Sequence, residues 1–440
     1  MKPAEKVAQP SSLLGAADHK ADWKSALPQA DAPVIAYLFT TFPKATETFL
    51  QREVTGLQAL GVNLRLYSMW GGGGFFNGQP VTRFPKWKLL TLAAWLPWLA
   101  VRHPGLLGEL LRGVLINRPR STLNLFENLL GLGFGLIYAS QFRKNRPAHI
   151  HAVWGGAPAA SAWLLSRLDG HEYSAAGHAY DLYQHGGDGW LRQKLAPALW
   201  IHTSTDMGRR TLLEKGLPDG KIHVIRRGLT TLPQLKPLRA ERSRTPLRVL
   251  CVARLVPKKG LDHQLRIYGA LKAAGVPFEA RIAGAGPLRT KLENQIRAVG
   301  LTAQVALLGH RPQAEIAAHL SWADVLLHTG VVAADGDRDG LPNVIPEAMS
   351  AGVLVVTSPA AATTEAITDG ITGRVCPVDE PASWVEALRA FRNDGENENA
   401  GAATQMQMAA RAWVEANFDA HKNAARLAAL YRECTAGHSP

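Results

Sequence analysis

Cysteine is scarce in this chain: Cys251, Cys376 and Cys434 are the three in 440 residues. Their spacing matches neither a redox pair nor a metal site. So few thiols exclude a disulfide-stapled fold and point to a reducing compartment. Long apolar runs are also missing. The strongest candidate, LLTLAAWLPWLAV, has 13 residues and contains Pro97, whereas crossing a bilayer takes about 20 apolar residues. The opening MKPAEKVAQPSSLLGAADHK lacks the apolar centre of a signal peptide, so a cytoplasmic protein is expected. Acid is the scarcer charge, with 36 Asp and Glu against 49 Lys and Arg and a net charge of +13. That balance implies anionic partners: nucleic acid, a phosphorylated ligand or a membrane face. Nucleic acid is the weakest of these, because no recognition helix, zinc module or aromatic RNA-binding strand is present. No internal repeat is found.

What the sequence does contain is two series of short apolar runs alternating with helical periodicity. The length suits two or three domains. Residues 1–32 are polar and proline-containing and read as a flexible arm. From 33 to 225, VIAYLF, LRLYSM, HIHAV, YSAAGH, LWIHTS and IHVI are separated by helical segments, the pattern of a parallel-sheet α/β domain. Residues 226–246, basic and without periodicity, form a linker. A second series follows over 247–415, with strands LRVLCVA, FEARIAG, VALLG, ADVLLH and GVLVVTS. The alanine-rich segment Ala400 to Ala429 reads as helical, and a last helix within 416–440 is expected to pack back on the N-terminal domain. The predicted fold is thus α/β: two doubly wound, Rossmann-like domains facing a cleft, with ligands at the carboxyl ends of the strands.

Residues 81–146 break the alternation. They hold ten Lys and Arg against two acids, Glu109 and Glu127, with Trp87, Trp95 and Trp98 among many leucines. This reads as an inserted set of amphipathic helices that lies on an anionic membrane surface. The alternative is that its leucines and tryptophans pack on the first sheet.

In the second domain, DGLPNVIPEAMSAG places Asp339 just before a Gly340-Leu341-Pro342-Asn343 turn and Glu347 eight positions on, inside the helix that starts near Val344. A helix N-terminus attracts phosphate, and a carboxylate can accept two hydroxyls of a sugar ring. The spacing therefore suits a sugar nucleotide. Upstream, ARLVPKKG follows the domain's first strand, where Arg254 and Lys259 are placed to clamp a diphosphate. Gly284 and Gly286 in IAGAGP are read as letting a flat ring approach the backbone, and Gly309-His310 ends the next strand in the same way. Asp335-Gly336-Asp337 spells a D-x-D metal motif but reads as a polar loop. His149 and His151 alternate on one strand with no third ligand nearby, so both are taken as structural.

These motifs carry a resemblance. The D-x7-E followed by AMSAGVLVVTS resembles the donor half of retaining glycosyltransferases of family 4, which have the GT-B fold and an E-x7-E motif. FPKATETFLQREVTGLQALGVNLRLYSM and HAYDLY (His178 to Tyr183) are similar to the branch that builds exopolysaccharides and colanic-acid-like polymers. The first acid is Asp here rather than Glu. The resemblance implies retaining transfer of a sugar from a nucleotide-diphosphate donor, without a metal or other cofactor, to a hydroxyl of a polyprenyl-diphosphate-linked saccharide. Arg254 and Lys259 would meet the diphosphate and Glu347 the ribose. Asp339 with Gly340 to Asn343 would hold the donor sugar, and His178 would reach across the cleft. A nonhydrolysing sugar-nucleotide epimerase of the same architecture is the alternative.

Overall fold

The computed structural model describes residues 32–44, 46–116, 119, 121–239, 245–392 and 401–436. The expected arm, Ala32 apart, lies outside them, as do linker residues 240–244.

In the N-terminal half, β1 (Val34–Phe39), α1 (Thr48–Ala59), β2 (Asn63–Ser68), the short β3 (Phe75–Phe76) and β4 (Gln79–Arg83) come first. Helices α2 (Leu92–Arg102), α3 (Pro104–Leu115) and α4 (Thr122–Lys144) follow. The half continues with β5 (His149–Ala152), α5 (Ala157–Asp169), β6 (Tyr173–Ala176), α6 (Tyr180–Tyr183), α7 (Leu191–Leu195), β7 (Ile201–Thr203), α8 (Asp206–Glu214) and β8 (Ile222–Val224). The strands form one sheet in the order β3-β4-β2-β1-β5-β6-β7-β8, parallel except for the β3–β4 pair. Five of the six residues of β1 are buried, because helices cover both faces of a parallel sheet.

The C-terminal half runs β9 (Leu247–Val252), α9 (Leu261–Ala273), β10 (Phe278–Ala283), α10 (Arg289–Ala298), β11 (Val305–Gly309), α11 (Gln313–Trp322) and β12 (Val325–His328). Then come α12 (Val344–Ala351), β13 (Leu354–Thr357), β14 (Arg374–Val375) and α13 (Pro381–Arg392). Its sheet, β11-β10-β9-β12-β13-β14, is parallel throughout. The strand order reverses beside β9, which pairs with β10 on one side and β12 on the other. A crevice opens at the carboxyl ends of strands at such a point.

Two features differ from the sequence reading. Residues 81–146 are not one insertion. β4 pairs with β2 inside the sheet, and α4 is core, burying Phe134 and Phe142 among others. Gly131 explains how α4 fits: a Cβ there would stand 2.0 Å from the Ala157 carbonyl oxygen, so the helix lies directly on α5. The stretch from Lys86 through α3 lies on this core, with Leu99 and Leu106 buried in it and Leu89, Trp95 and Trp98 packed against it. Second, the alanine-rich tail is two helices, α14 (Ala402–Asn417) and α15 (Ala420–Thr435), because the Asp419 side chain accepts from the N–H groups of His421 and Lys422 and caps a new helix. α14 belongs to the C-terminal domain, where Val414 is in the core with Met349. α15 crosses to the N-terminal domain, where Tyr431 donates to Tyr37 Oη at 3.2 Å and Trp200 donates to Cys434.

Candidate functional site

The loop after β9 and the loop after β12 lie against each other. Gly260 (φ +61°) permits this, since a Cβ would come within 1.9 Å of the Thr329 carbonyl oxygen, and Thr329 Oγ1 donates to the Lys259 carbonyl. The packing presents Lys259 to the loop that leads into α12. Lys259 Nζ lies 2.5 Å from Asp339 Oδ2, with Lys258 Nζ at 3.5 Å and His328 Nε2 at 3.7 Å from the same carboxylate. Burial works against the charge on Asp339, but Lys259, His328 and Lys258 outweigh it and hold the carboxyl well below the usual range. Asp339, given above to the donor sugar, is therefore first a fixed anion that orients two lysines. Arg254 is exposed and forms no ion pair among the described residues, so its guanidinium is free for a ligand.

Glu347 stands in the first turn of α12. Its Oε1 lies 3.3 Å from Arg52 Nη2 of α1, a contact across the cleft. Burial raises its pKa, and the Arg52 guanidinium offsets only part of that rise. Asn343 occupies the cap position of α12 and makes no side-chain capping bond. The Gly340-Leu341-Pro342 turn approaches the other domain, with the Thr205 methyl 3.6 Å from where a Gly340 Cβ would be. The structure thus brings Lys259 to Asp339, in the loop that leads into α12, and sets Glu347 of that helix against Arg52; Arg254 follows β9 and makes no contact with these side chains among the described residues.

Gly284 and Gly286 are closely packed by their own chain. A Cβ on Gly284 would meet the Ala253 carbonyl oxygen at 1.8 Å, and one on Gly286 the Leu255 oxygen at 2.5 Å. On that side each glycine faces protein backbone. Gly309 (φ +75°) accepts from the Gly284 N–H at 2.8 Å, and His310 beside it is exposed.

On the acceptor side, His178 follows β6 and is buried, with neither ring nitrogen hydrogen-bonded among the described residues. Its ring neighbours are Trp154 at 5.6 Å and His202 at 5.1 Å, both in its own domain. Burial, then Arg227 and His202, pushes its pKa well down and keeps the imidazole neutral. Ala179 beside it has φ +43°, a strained value for a residue with a Cβ. Asp181 fastens this turn by accepting from the Gly155 N–H at 2.9 Å. Sequence reasoning missed Asp181, Arg52 and Lys258. It also missed Glu127, whose carboxylate accepts from Tyr180 Oη at 3.0 and 3.1 Å. The first of these stood in the HAYD motif already singled out for its histidine. Arg52 carried no sequence signal, because its partner lies 295 positions away.

Two parallel-sheet domains with cations, a helix start and a carboxylate gathered at the switch point of the second sheet define the GT-B architecture. Residues 238–412 match the family described as glycosyl transferases group 1. It is 26% identical over 380 residues to the putative colanic acid biosynthesis glycosyltransferase WcaL of Escherichia coli K12, covering 81% of this chain and 90% of that one. It is 35% identical over 223 residues to the amylovoran biosynthesis glycosyltransferase AmsK of Erwinia amylovora, about half of each chain (51%). Among solved structures, sucrose-phosphate synthase of Thermosynechococcus elongatus superposes with a TM-score of 0.68 at 15% identity over 92% of this chain and 100% of that one. Anabaena HepE in complex with UDP gives 0.64 at 16% over 91% and 100%. At those identities the likeness is one of fold.

Proposed function

We propose that this glycosyltransferase moves a sugar, with retention of anomeric configuration, from a nucleotide-diphosphate sugar to a hydroxyl of a lipid-linked saccharide in exopolysaccharide assembly. The observation that carries the reading is the pairing of Lys259 with Asp339 in the loop that leads into α12. Negative charge that develops on a departing diphosphate meets cations and helix N–H groups already in place, which is where preorganised electrostatics lowers a barrier most. Glu347 takes the ribose hydroxyls, exchanging Arg52 for them. The neutral His178 borders the transfer site from the other domain. That the solved structures with this fold include one with UDP, and that WcaL and AmsK are named for polysaccharide biosynthesis, supports the donor class and the setting.

UDP- and GDP-sugars test the donor site by thermal shift, since a ligand at 100 times its Kd stabilises by about 2.7 kcal/mol. No shift with any member of the panel would remove the nucleotide reading. With a donor in hand, the new bond should keep the donor's configuration and EDTA should leave the rate nearly unchanged. An inverted product, or loss in EDTA restored by Mn²⁺, would instead bring Asp335 and Asp337 forward as metal ligands. An epimeric sugar nucleotide formed from donor alone would favour the epimerase.

The membrane part of the proposal rests on exposed apolar side chains between Trp87 and Phe126. Among the described residues no helix is long and apolar enough to cross a membrane. Yet Trp87, Leu90, Val101, Leu115, Ile116 and Phe126 are each at least 65% exposed, with the exposed Arg102 and Arg112 among them. Trp95 and Trp98, expected to face lipid, pack instead on each other and on the domain core. An apolar patch rimmed by cations suits an anionic lipid face. Each Arg near such a surface contributes about 1 kcal/mol, so Arg102→Glu with Arg112→Glu should cut sedimentation with phosphatidylglycerol vesicles by more than about tenfold in partition constant. Equal recovery in the supernatant with and without anionic lipid would remove the membrane claim.

A further inference from the structure

The D-x-D loop makes contacts in two directions. On the outer side, the Asp335 carbonyl accepts from His185 N–H at 2.6 Å and its carboxylate accepts from Gln184 Nε2 at 2.9 Å. Arg338 stacks over the Tyr183 ring at 4.4 Å. Gly336 (φ +80°) lies so close that a Cβ would stand 3.1 Å from the Tyr183 carbonyl oxygen. All of these partners belong to the N-terminal domain. His185 itself has φ +52°, a strained left-handed conformation that it holds where its N–H meets Asp335. On the inner side, Asp337 lies 3.0 Å from Lys258 Nζ, and Asp339 binds both Lys258 and Lys259. The Asp335 carboxylate also accepts from the Asp337 N–H at 3.0 Å, so the two sides are joined within three residues.

We infer that residues 335–339 couple the two domains to the diphosphate cations: Asp335 and Arg338 grip the N-terminal domain, while Asp337 and Asp339 set the positions of Lys258 and Lys259. Closure of the cleft and arrangement of the lysines then occur together. Asp335 and Arg338 are positioning residues, acting on the donor through lysines they do not touch. The effect of the loop on donor binding rests on the proposal that Lys259 meets a diphosphate; its effect on domain distance does not.

The test uses the full chain with UDP as probe and spin labels at Glu214→Cys and Arg297→Cys, both exposed and one in each domain, in a Cys434→Ser background. The double variant Asp335→Ala/Arg338→Ala should bind UDP at least about fivefold more weakly, the lower end of coupling between linked sites. Asp335→Asn, which keeps an oxygen for Gln184, should restore part of that loss. In the reciprocal direction, Lys258→Ala without UDP should broaden the interdomain distance distribution. UDP affinity in the double variant within fivefold of wild type would overturn the coupling. So would an unchanged distance distribution in Lys258→Ala. If wild type binds no UDP, GDP replaces it as the probe; if it binds neither, the donor reading fails, and the Lys258→Ala distances alone decide whether the loop couples the domains.

Discussion

Lys259→Ala should lower transfer by about 10²–10³-fold, the range found when one preorganised donor to a developing anion is removed. The lysine is held by Asp339 at 2.5 Å, so it meets the leaving group without reorganising. Its loss also leaves the buried Asp339 with Lys258 and His328 as its remaining cationic neighbours. Stability should therefore fall too, and the rate must be compared at a temperature where circular dichroism shows the variant folded. Glu347→Gln, which keeps the shape and removes the charge facing Arg52, should weaken donor binding without that cost. A folded Lys259→Ala protein with the wild-type rate would take the cation out of the reaction.

The second large effect concerns stability. Lys194 and Asp188 form an ion pair at 2.6 Å with side chains 2% and 0% exposed. Lys194 also donates to Asn128 Oδ1 at 2.6 Å and to the Gly155 carbonyl. Lys194→Met would leave Asp188 charged and buried, with Asn128 and the Trp190 N–H as its remaining hydrogen-bond donors. Breaking one side of such a pair costs about 3–5 kcal/mol, whereas replacing both sides with apolar residues is often nearly neutral. Urea unfolding should thus show a large loss for Lys194→Met and a partial return for Lys194→Met/Asp188→Leu. A single variant within about 1 kcal/mol of wild type would mean that the pair contributes little.

The parallel strands could be read directly, because helix-covered strands such as Val34–Phe39 and Leu354–Thr357 appear as unbroken apolar runs. The turn between Asp339 and Glu347 was legible for a related reason: a Gly-Leu-Pro-Asn turn that opens a helix is set by local spacing, and local spacing is what a sequence displays. What the sequence hid was long-range. α4 reads as part of an insertion because it shares the basic, tryptophan-bearing region 81–146; that Gly131 and Gly135 let α5 approach shows only once the two helices are packed. The pairing of Arg52 with Glu347 and the two-sided loop at Asp335 depend on how the domains meet, and no window along the chain contains both partners. A separate last helix was read within 416–440, but the cap that fixes its start, Asp419 in FDAHK, acts at one residue and does not stand out in an alanine-rich run.

The crossing of α15 back to the N-terminal domain has a consequence for the order in which the protein can be built. Tyr431 packs against Tyr37, His149, His151 and Trp200, side chains that belong to strands or turns complete by Val224. At roughly 5–20 residues per second on the ribosome, that aromatic face waits roughly 10–40 seconds for its cover. During translation the first domain is a sheet with one side unfinished, and the nascent chain must keep that side from other partners until its own last helix arrives.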